Sequence, residues 1–207
     1  MNALSSERWT RLWRDARLRG DPRQVYEVLA SFYSQPNRHY HNLQHVAECL
    51  SEFDSGRHLA HEPLSVELAL WFHDAVYDTR APDNEERSAE LARERLSQSG
   101  ASPALLDGVA SLILATKTHE GTGHPDAPLL IDVDLSILGQ TQARFLEYEA
   151  QIRMEYDWVP AAIFAEKRAE ILQRFLARKR LYTTNLFFDK YETQARSNLG
   201  LSISKLK

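Results

Sequence analysis

A histidine followed directly by an aspartate ends an apolar run in this sequence. His73 and Asp74 come straight after the apolar residues 68–72. An imidazole nitrogen and a carboxylate oxygen together suit divalent metals such as Mn²⁺, Fe²⁺, Co²⁺ and Zn²⁺. A carboxylate buried after such a run is costly unless it is paired or bound to a cation. The other interpretation of the pair is a hydrogen-bonded core histidine and an aspartate that caps the next turn.

Two further segments carry possible ligands for the same metal. His41 and His45 are four residues apart, which places them on one face if the segment is helical. They could share a metal, or one could bind it while the other acts on the substrate; the alternative is a partly exposed polar face. Asp132 and Asp134 lie in the otherwise apolar stretch 129–138. On a helix they would point about 200° apart, so only one would face a common site; the alternative is one capping and one solvent-facing aspartate.

The elements that must bring these segments together are predicted to be helices. Apolar residues recur at helical spacing through the chain, no stretch shows sustained alternation, and the prolines fall at segment edges or in loops. The predicted starts are Ser6, Asp21-Pro22, Asn42, Pro63, Ser102-Pro103, Thr141 and Pro160. Gly20 is predicted to end the first helix and Gly200 to end the last, which spans about 188–199. The pattern predicts a single all-α domain.

Composition is typical of a soluble globular protein. Of the 207 residues, 43% are hydrophobic and 26% are charged, and the net charge of −4 argues against general nucleic-acid binding. Cys49 is the only cysteine, which excludes an intramolecular disulfide and fits a reducing cytosol. The N-terminus lacks the pattern of a signal peptide, and no apolar run approaches the roughly 20 residues that span a bilayer. We therefore expect a cytoplasmic protein without membrane association, and a homodimer is possible if Trp9 or Trp13 lies at an interface.

The order of these motifs resembles the HD superfamily of metal-dependent phosphohydrolases, and within it a bacterial group of small predicted HD hydrolases. The similarity extends from about residue 38 to about residue 200. The motifs that carry it are Arg38-His39-Tyr40-His41-Asn42-Leu43-Gln44-His45, Trp71-Phe72-His73-Asp74-Ala75-Val76-Tyr77-Asp78, Asn84-Glu85-Glu86-Arg87-Ser88-Ala89, Ala115-Thr116-Lys117-Thr118-His119 and Asp132-Val133-Asp134-Leu135-Ser136-Ile137-Leu138-Gly139. The resemblance implies a helical HD core at about 22–140, a C-terminal helical extension at about 141–207, and a bound divalent metal.

The resemblance also implies a ligand set. His45, His73, Asp74 and Asp134 take the four ligand positions, with Asp132 in reserve; Asp134 is preferred because a leucine follows it, as is usual in the superfamily. His41 stands where the Tyr-His-Asn-x-x-His pattern of cyclic-nucleotide phosphodiesterases has a histidine that protonates the leaving group.

The implied chemistry assigns roles to several more residues. A divalent metal lowers the pKa of a bound water to about 7 and polarises a phosphoryl oxygen, and Asp74 could also accept the proton of the nucleophile. Lys117, His119 and Arg38 could neutralise charge that builds on the phosphoryl oxygens. Glu85 matches an acidic residue that activates water in alarmone-hydrolysing relatives; the alternative is a solvated acidic helix N-terminus.

Two arginines of the C-terminal third are further candidates. Arg153 and Arg196 could fold over an anionic substrate as a lid, because guanidinium groups suit phosphate. The alternative for the basic residues of this region is a solvated helix face.

The sequence thus predicts a hydrolase that cleaves a phosphoester of a small nucleotide or related metabolite. We expect one divalent metal (Mn, Fe, Co, Ni, Zn or Mg). The additional histidines, His119 and His124, lie late and close together, and the sequence shows no dense second-metal set. The first alternative is a non-catalytic metal-binding regulatory module, against which the intact His45, His73 and Asp74 count. The second is an HD-type di-iron oxygenase, which needs six protein ligands and two irons.

Overall fold

A computed structural model describes residues 4–120 and 123–206 of the chain. Within these ranges the chain forms ten α-helices and two short 3-10 helices, with no strand, which confirms the all-α prediction. The α-helices are Ser6–Asp15 (α1), Pro22–Tyr33 (α2), Leu43–Gly56 (α3), Pro63–Phe72 (α4), Asn84–Gln98 (α5), Pro103–Ala115 (α6), Ala127–Asp134 (α7), Gln142–Glu155 (α8), Ala161–Ala177 (α9) and Asn185–Leu206 (α10). The 3-10 helices are Arg57–Leu59 and Leu135–Gly139.

Local capping chemistry sets most of the helix starts that the sequence predicts. The side chains of Asp21, Ser102 and Thr141 each accept a hydrogen bond from a backbone N–H of the first turn that follows. Proline occupies the first turn of α2, α4 and α6, where a missing N–H costs nothing.

The first and the last helix depart from their predicted bounds. Ser5, rather than Ser6, caps α1, and this helix ends at Asp15 instead of continuing to Gly20. Arg17 adopts a left-handed φ of 56°, which stops the helix before the glycine is reached. At the other end, Gly200 lies inside α10, which runs on to Leu206. Buried Leu199 and Ile203 continue the apolar face past the glycine, and a glycine alone does not end a helix that packing supports.

The chain divides into two compact units, one up to Ile131 and the other from Asp132 onward, so the division falls inside α7. In the first unit α4 is central: residues 65–72 are all buried, and the helix packs against α1, α3, α5 and α6. Trp9 and Trp13 are buried, and Trp9 meets Trp71 edge-on at a ring-centroid distance of 5.2 Å, so both indoles of α1 belong to the core. His73 follows the last residue of α4 and is therefore fixed by the best-packed element of this unit.

The second unit is built around α10. This helix packs against α9 and against the 3-10 helix Leu135–Gly139, which α8 also contacts. Gly139 of this 3-10 helix lies against the side chain of Tyr191 of α10, which leaves no room for a larger residue at this position. The sequence places the start of the C-terminal extension at about residue 141. In the structure the second unit begins earlier, at Asp132, because the 3-10 helix Leu135–Gly139 already packs against α8 and α10.

Among the described residues, no helix is both long enough and apolar enough to cross a membrane.

Two glycines of the second unit give opposite expectations for alanine. A Cβ at Gly139 would lie 2.8 Å from the ring carbon Cγ of Tyr191, whereas a Cβ at Gly200 would meet nothing within 4 Å. Gly139→Ala should lower the free energy of unfolding by about 1–3 kcal/mol through overpacking. Gly200→Ala should raise it by about 0.5–1 kcal/mol, because alanine has the better helix propensity. Urea denaturation followed by circular dichroism measures both, and an equal effect of the two changes would contradict this account of packing.

Candidate metal centre

The start of α3 and the end of α4 bring two histidines together. Asn42 caps α3 by accepting the backbone N–H of Gln44, which fixes His45 in the first turn of that helix. His73 is the first residue after α4, and its backbone N–H still bonds to the carbonyl of Ala69. Only 2% of His45 and 1% of His73 is exposed. Both imidazoles are therefore held in the core by regular structure.

The three ligand atoms of this centre form a nearly equilateral triangle. His45 Nε2 lies 3.1 Å from His73 Nε2, and Asp74 Oδ2 lies 3.4 Å from the first nitrogen and 3.2 Å from the second. With a metal–ligand bond of about 2.1 Å, neighbouring ligands are about 3.0 Å apart in octahedral geometry and about 3.4 Å apart in tetrahedral geometry. The triangle therefore has the size of one face of a metal coordination sphere.

The hydrogen bonds of His73 indicate which nitrogen is available. Its Nδ1 lies 3.0 Å from the carbonyl oxygen of Leu70, which can only accept, so Nδ1 carries a proton and the neutral form of His73 has its lone pair on Nε2. A backbone carbonyl on the second nitrogen is the usual way in which proteins orient a metal-binding imidazole. The two Nε2 atoms are close enough that a proton or a cation must lie between them for the contact to be favourable.

Asp74 supplies the negative charge of the centre. Burial opposes ionisation, but charge on His73 and His41 and hydrogen bonds from His45 and His73 hold the pKa of this carboxyl well below its usual range. The side chain keeps 18% of its surface exposed, far more than either histidine of the triangle. The carboxylate is therefore ionised at neutral pH and marks the open side of the centre.

Cys49 is a fourth group beside the histidines. It lies one helical turn after His45, and its sulfur and the ligand nitrogens of His45 and His73 all lie within 4.8 Å of one another. The sulfur is 3.7 Å from both ring nitrogens of His45, so it packs beside the ring and not beyond Nε2. The thiol of Cys49 is therefore a further group that could contribute to holding a metal ion.

His41 reaches the centre by a route that the sequence did not predict. It precedes the cap Asn42, where the sequence also predicts the helix to begin, so it does not share a helical face with His45. Its ring centroid nevertheless lies 5.9 Å from that of His45, and it stacks on Tyr77 at 4.0 Å with an interplanar angle of 26°. The aromatic ring of Tyr77 thus takes over the positioning of His41.

Arg38 is buried beneath the two loops that carry these groups. Its terminal nitrogens donate to the backbone carbonyls of His41, Asp74 and Ala75 at 3.1, 2.5 and 2.7 Å. One guanidinium thus ties the segment before α3 to the segment after α4. This placement favours a positioning role over the predicted contact with substrate.

Lys117 and the two glutamates at the start of α5 form a separate group at the surface. The Lys117 ammonium bonds to the Glu86 carboxylate and donates to the carbonyl of Pro82 at 2.9 Å. Glu85 lies half-buried in the same first turn of α5. His119, half-buried after α6, has a left-handed φ of 52°. Among the described residues, no hydrogen bond or ion pair joins Lys117 or Glu85 to the triangle, and their predicted roles stay predictions.

The two aspartates of the second unit differ sharply in their surroundings. Asp132 is fully buried and accepts hydrogen bonds from the backbone N–H groups of Thr183 and Thr184 and from the Thr184 hydroxyl, at 2.7–2.8 Å. Burial raises the pKa of Asp132, and these three hydrogen bonds oppose the rise. Its oxygens are thus used to hold the turn before α10. Asp134 stays the predicted aspartate ligand, with Asp132 in reserve.

The two arginines predicted to form a lid bind backbone carbonyls instead. Arg153 donates to the carbonyls of Tyr156 and Val159 at 2.6 and 2.9 Å, beyond the end of α8. Arg196 donates to the carbonyls of Leu176 and Arg178 at 3.0 and 2.8 Å. Both guanidinium groups stabilise turns within the second unit in this conformation.

His124 lies at the wrong end of α4 for a second metal next to the first. Its Nδ1 accepts the backbone N–H of Asp126 at 3.1 Å, and its Nε2 is 3.8 Å from Glu62, the residue before α4. His73 stands at the other end of this helix of 10 residues, about 15 Å away. His124 therefore does not lie beside the triangle, and the number of metals stays a prediction.

Sequence reasoning missed three supports of the centre. They are the stacking of Tyr77 on His41, the packing of Cys49 against His45, and the clamp formed by Arg38. The four-residue spacing of His45 and Cys49 on one helix is a signal for the second. The other two contacts join segments more than 35 residues apart, and nothing in the local pattern marks them.

Comparison with known proteins finds no match: no protein-family model, no curated protein and no solved structure resembles this chain significantly.

The role of Arg38 can be tested by a change that keeps the charge. Arg38→Lys loses the planar set of donors that reaches three carbonyls at once. We expect metal affinity to fall about 10- to 100-fold, the usual effect of removing a group that orients a ligand. Arg11→Lys, on the exposed surface of α1, is the control and should change nothing. Titration of the metal-free protein with Co²⁺ measures both, and an unchanged affinity in Arg38→Lys would return this residue to a substrate-binding role.

The two aspartates of the second unit should separate stability from metal binding. Asp132→Asn weakens the hydrogen bonds at Thr183 and Thr184, so we expect a lower melting temperature with metal content preserved. Asp134→Asn should reduce the bound metal, because it removes the charge of the predicted fourth ligand. Thermal denaturation and elemental analysis give the two readouts, and the reverse pattern would make Asp132 the ligand.

Proposed function

We propose that this chain is a metal-dependent phosphohydrolase that cleaves a phosphoester of a small nucleotide or related metabolite. The observation that carries the proposal is the triangle of His45 Nε2, His73 Nε2 and Asp74 Oδ2, with edges of 3.1, 3.2 and 3.4 Å. Support comes also from the order of the motifs, which resembles the HD superfamily.

The donor set fits a divalent metal of the first transition row. Two imidazoles and one carboxylate on a common face leave the opposite positions open to water and substrate. Both imidazoles are buried, and the carboxylate is ionised, so the set carries one negative charge towards a doubly charged cation. Asp134 stays the predicted fourth ligand. Mn²⁺, Fe²⁺, Co²⁺, Ni²⁺ and Zn²⁺ all suit such a set, and Mg²⁺, which prefers oxygen, suits it less well.

The chain itself would supply orientation, proton transfer and shielding from water. A divalent metal held by the triangle would polarise a phosphoryl oxygen and make a water molecule more acidic. Asp74, on the exposed side, would receive the proton of the attacking water. His41, which stacks on Tyr77 within reach of the same region, would give a proton to the leaving oxygen. Arg38 would keep both groups in place by holding the backbone of their two loops.

This arrangement supports the hydrolase better than a di-iron oxygenase. An oxygenase needs a second iron with its own ligands close by, and His124 lies at the far end of α4. The other alternative, a metal-binding module without turnover, uses the same triangle and differs only in that bound substrate is not cleaved. The test must therefore measure metal content and phosphate release separately.

The deciding experiment compares three histidine variants with the wild type. Elemental analysis of wild-type protein should give about one metal per chain, and His73→Ala should lose nearly all of it. His41→Ala should keep the metal and lose about 10²- to 10⁴-fold in turnover, as expected for a general acid. His124→Ala, in the same unit, should keep both metal and turnover. Phosphate release is followed with a panel of nucleotides and added Mn²⁺.

Other outcomes would overturn the proposal in distinct ways. A wild type that binds no metal after reconstitution would remove its basis. Two irons with oxygen uptake and no phosphate release would favour the oxygenase, and one metal without release from any nucleotide would favour the binding module.

A further inference from the structure

An open cavity of about 520 Å³ lies next to the segment that follows Asp74. One wall comes from the end of α2 and the loop after it, including Phe32 and Asn37, and the other from Tyr77 and Asp78. This volume is in the range of small-molecule sites in proteins. Two ring contacts connect the cavity to the centre, from His45 to His41 at 5.9 Å and from His41 to Tyr77 at 4.0 Å.

The wall that follows Asp74 is held rigidly by α5. Asn84 accepts the backbone N–H of Asp78 at 2.9 Å and donates to its carbonyl at 2.9 Å. Ser88, one turn further along, accepts the backbone N–H of Val76 at 3.0 Å and donates to its carbonyl at 3.2 Å. The cavity is therefore framed by fixed backbone on the side of α5.

Arg87 lies on the same face of α5 as these two anchors. It is three residues after Asn84 and next to Ser88, and its side chain lines the cavity. Within residues 4–120 and 123–206, its guanidinium makes no hydrogen bond or ion pair. Glu90, which is close enough along the helix to pair with it, does not do so.

Two other cationic side chains of this unit already have hydrogen-bond or ion-pair partners. Lys117 pairs with Glu86, and Arg38 donates to three backbone carbonyls. The acidic residue of the cavity, Asp78, accepts the backbone N–H of Arg80 at 2.9 Å. Arg87 is thus a charge at the cavity whose donors remain available for a ligand.

We propose that this cavity holds the part of the substrate that is not hydrolysed, and that Arg87 binds a second phosphate on it. The inference rests on the proposed function and narrows its substrate to small bisphosphates, such as a nucleoside with phosphates on two different positions. The planar donors of arginine match a phosphate with two parallel hydrogen bonds. The ring of Phe32 and the part of the Tyr77 ring that His41 does not cover line the cavity and offer the apolar surface that a base or a similar flat group needs.

The test measures binding without hydrolysis. Adenosine 3′,5′-bisphosphate and adenosine 5′-monophosphate are titrated by calorimetry into metal-free protein in the presence of EDTA. Wild type should prefer the bisphosphate. Arg87→Gln should weaken bisphosphate binding about 10- to 100-fold and leave monophosphate binding unchanged, as expected for a lost bond to a charged group. The control Arg11→Gln removes an exposed arginine of α1 and should alter neither.

Two results would overturn the inference: a wild type without preference for the bisphosphate, or an equal loss in Arg87→Gln and Arg11→Gln. The outcome is separate from that of the proposed function. A preference that depends on Arg87, in a protein that releases no phosphate with any metal, would leave the phosphate-binding cavity standing and remove the hydrolase.

Discussion

Two buried imidazole nitrogens 3.1 Å apart impose the main constraint on this molecule. Both are held by regular structure, since one lies in the first turn of a capped helix and the other follows the most deeply buried helix of its unit. Two lone pairs at this distance would repel each other, so either a proton on one of the two nitrogens or a cation between them is needed. The carboxylate of Asp74, at 3.2–3.4 Å from the same nitrogens, is the charge that would favour a cation there.

Arginine side chains hold turns in both units of the chain. Arg38, Arg153 and Arg196 each donate to two or more backbone carbonyls at places where a helix has just begun or ended. Helix ends leave carbonyls without partners, and a guanidinium can satisfy several of them at once. The same planar donors suit a phosphate, so sequence alone does not distinguish a substrate-binding arginine from one that closes a turn.

The sequence predicts the local features of the fold well and the long-range ones poorly. The caps at Asp21, Ser102 and Thr141 are correct because each depends on residues within one turn. The predicted end of the last helix is wrong, because packing continues α10 through Gly200 to Leu206. The histidine–aspartate pair itself was a sound candidate, since apolar residues before a carboxylate are visible in the sequence. His41 lies before the cap Asn42, so the four-residue spacing to His45 does not set its position, and a tyrosine from another segment packs against its ring instead.

Burial distinguishes a closed side and an open side of the centre. On the closed side, the histidines are almost completely buried and Cys49 packs against one ring. On the open side, Asp74 keeps part of its surface, and the chain runs directly from it to the cavity wall at Tyr77 and Asp78. This open side offers a ligand the ring of Tyr77 and the guanidinium of Arg87, which line the same cavity. If the cavity holds the second phosphate as proposed, a ligand with two phosphates would place one at a metal held by the triangle and the other at Arg87, whereas a ligand with one phosphate would meet only one of the two positive groups.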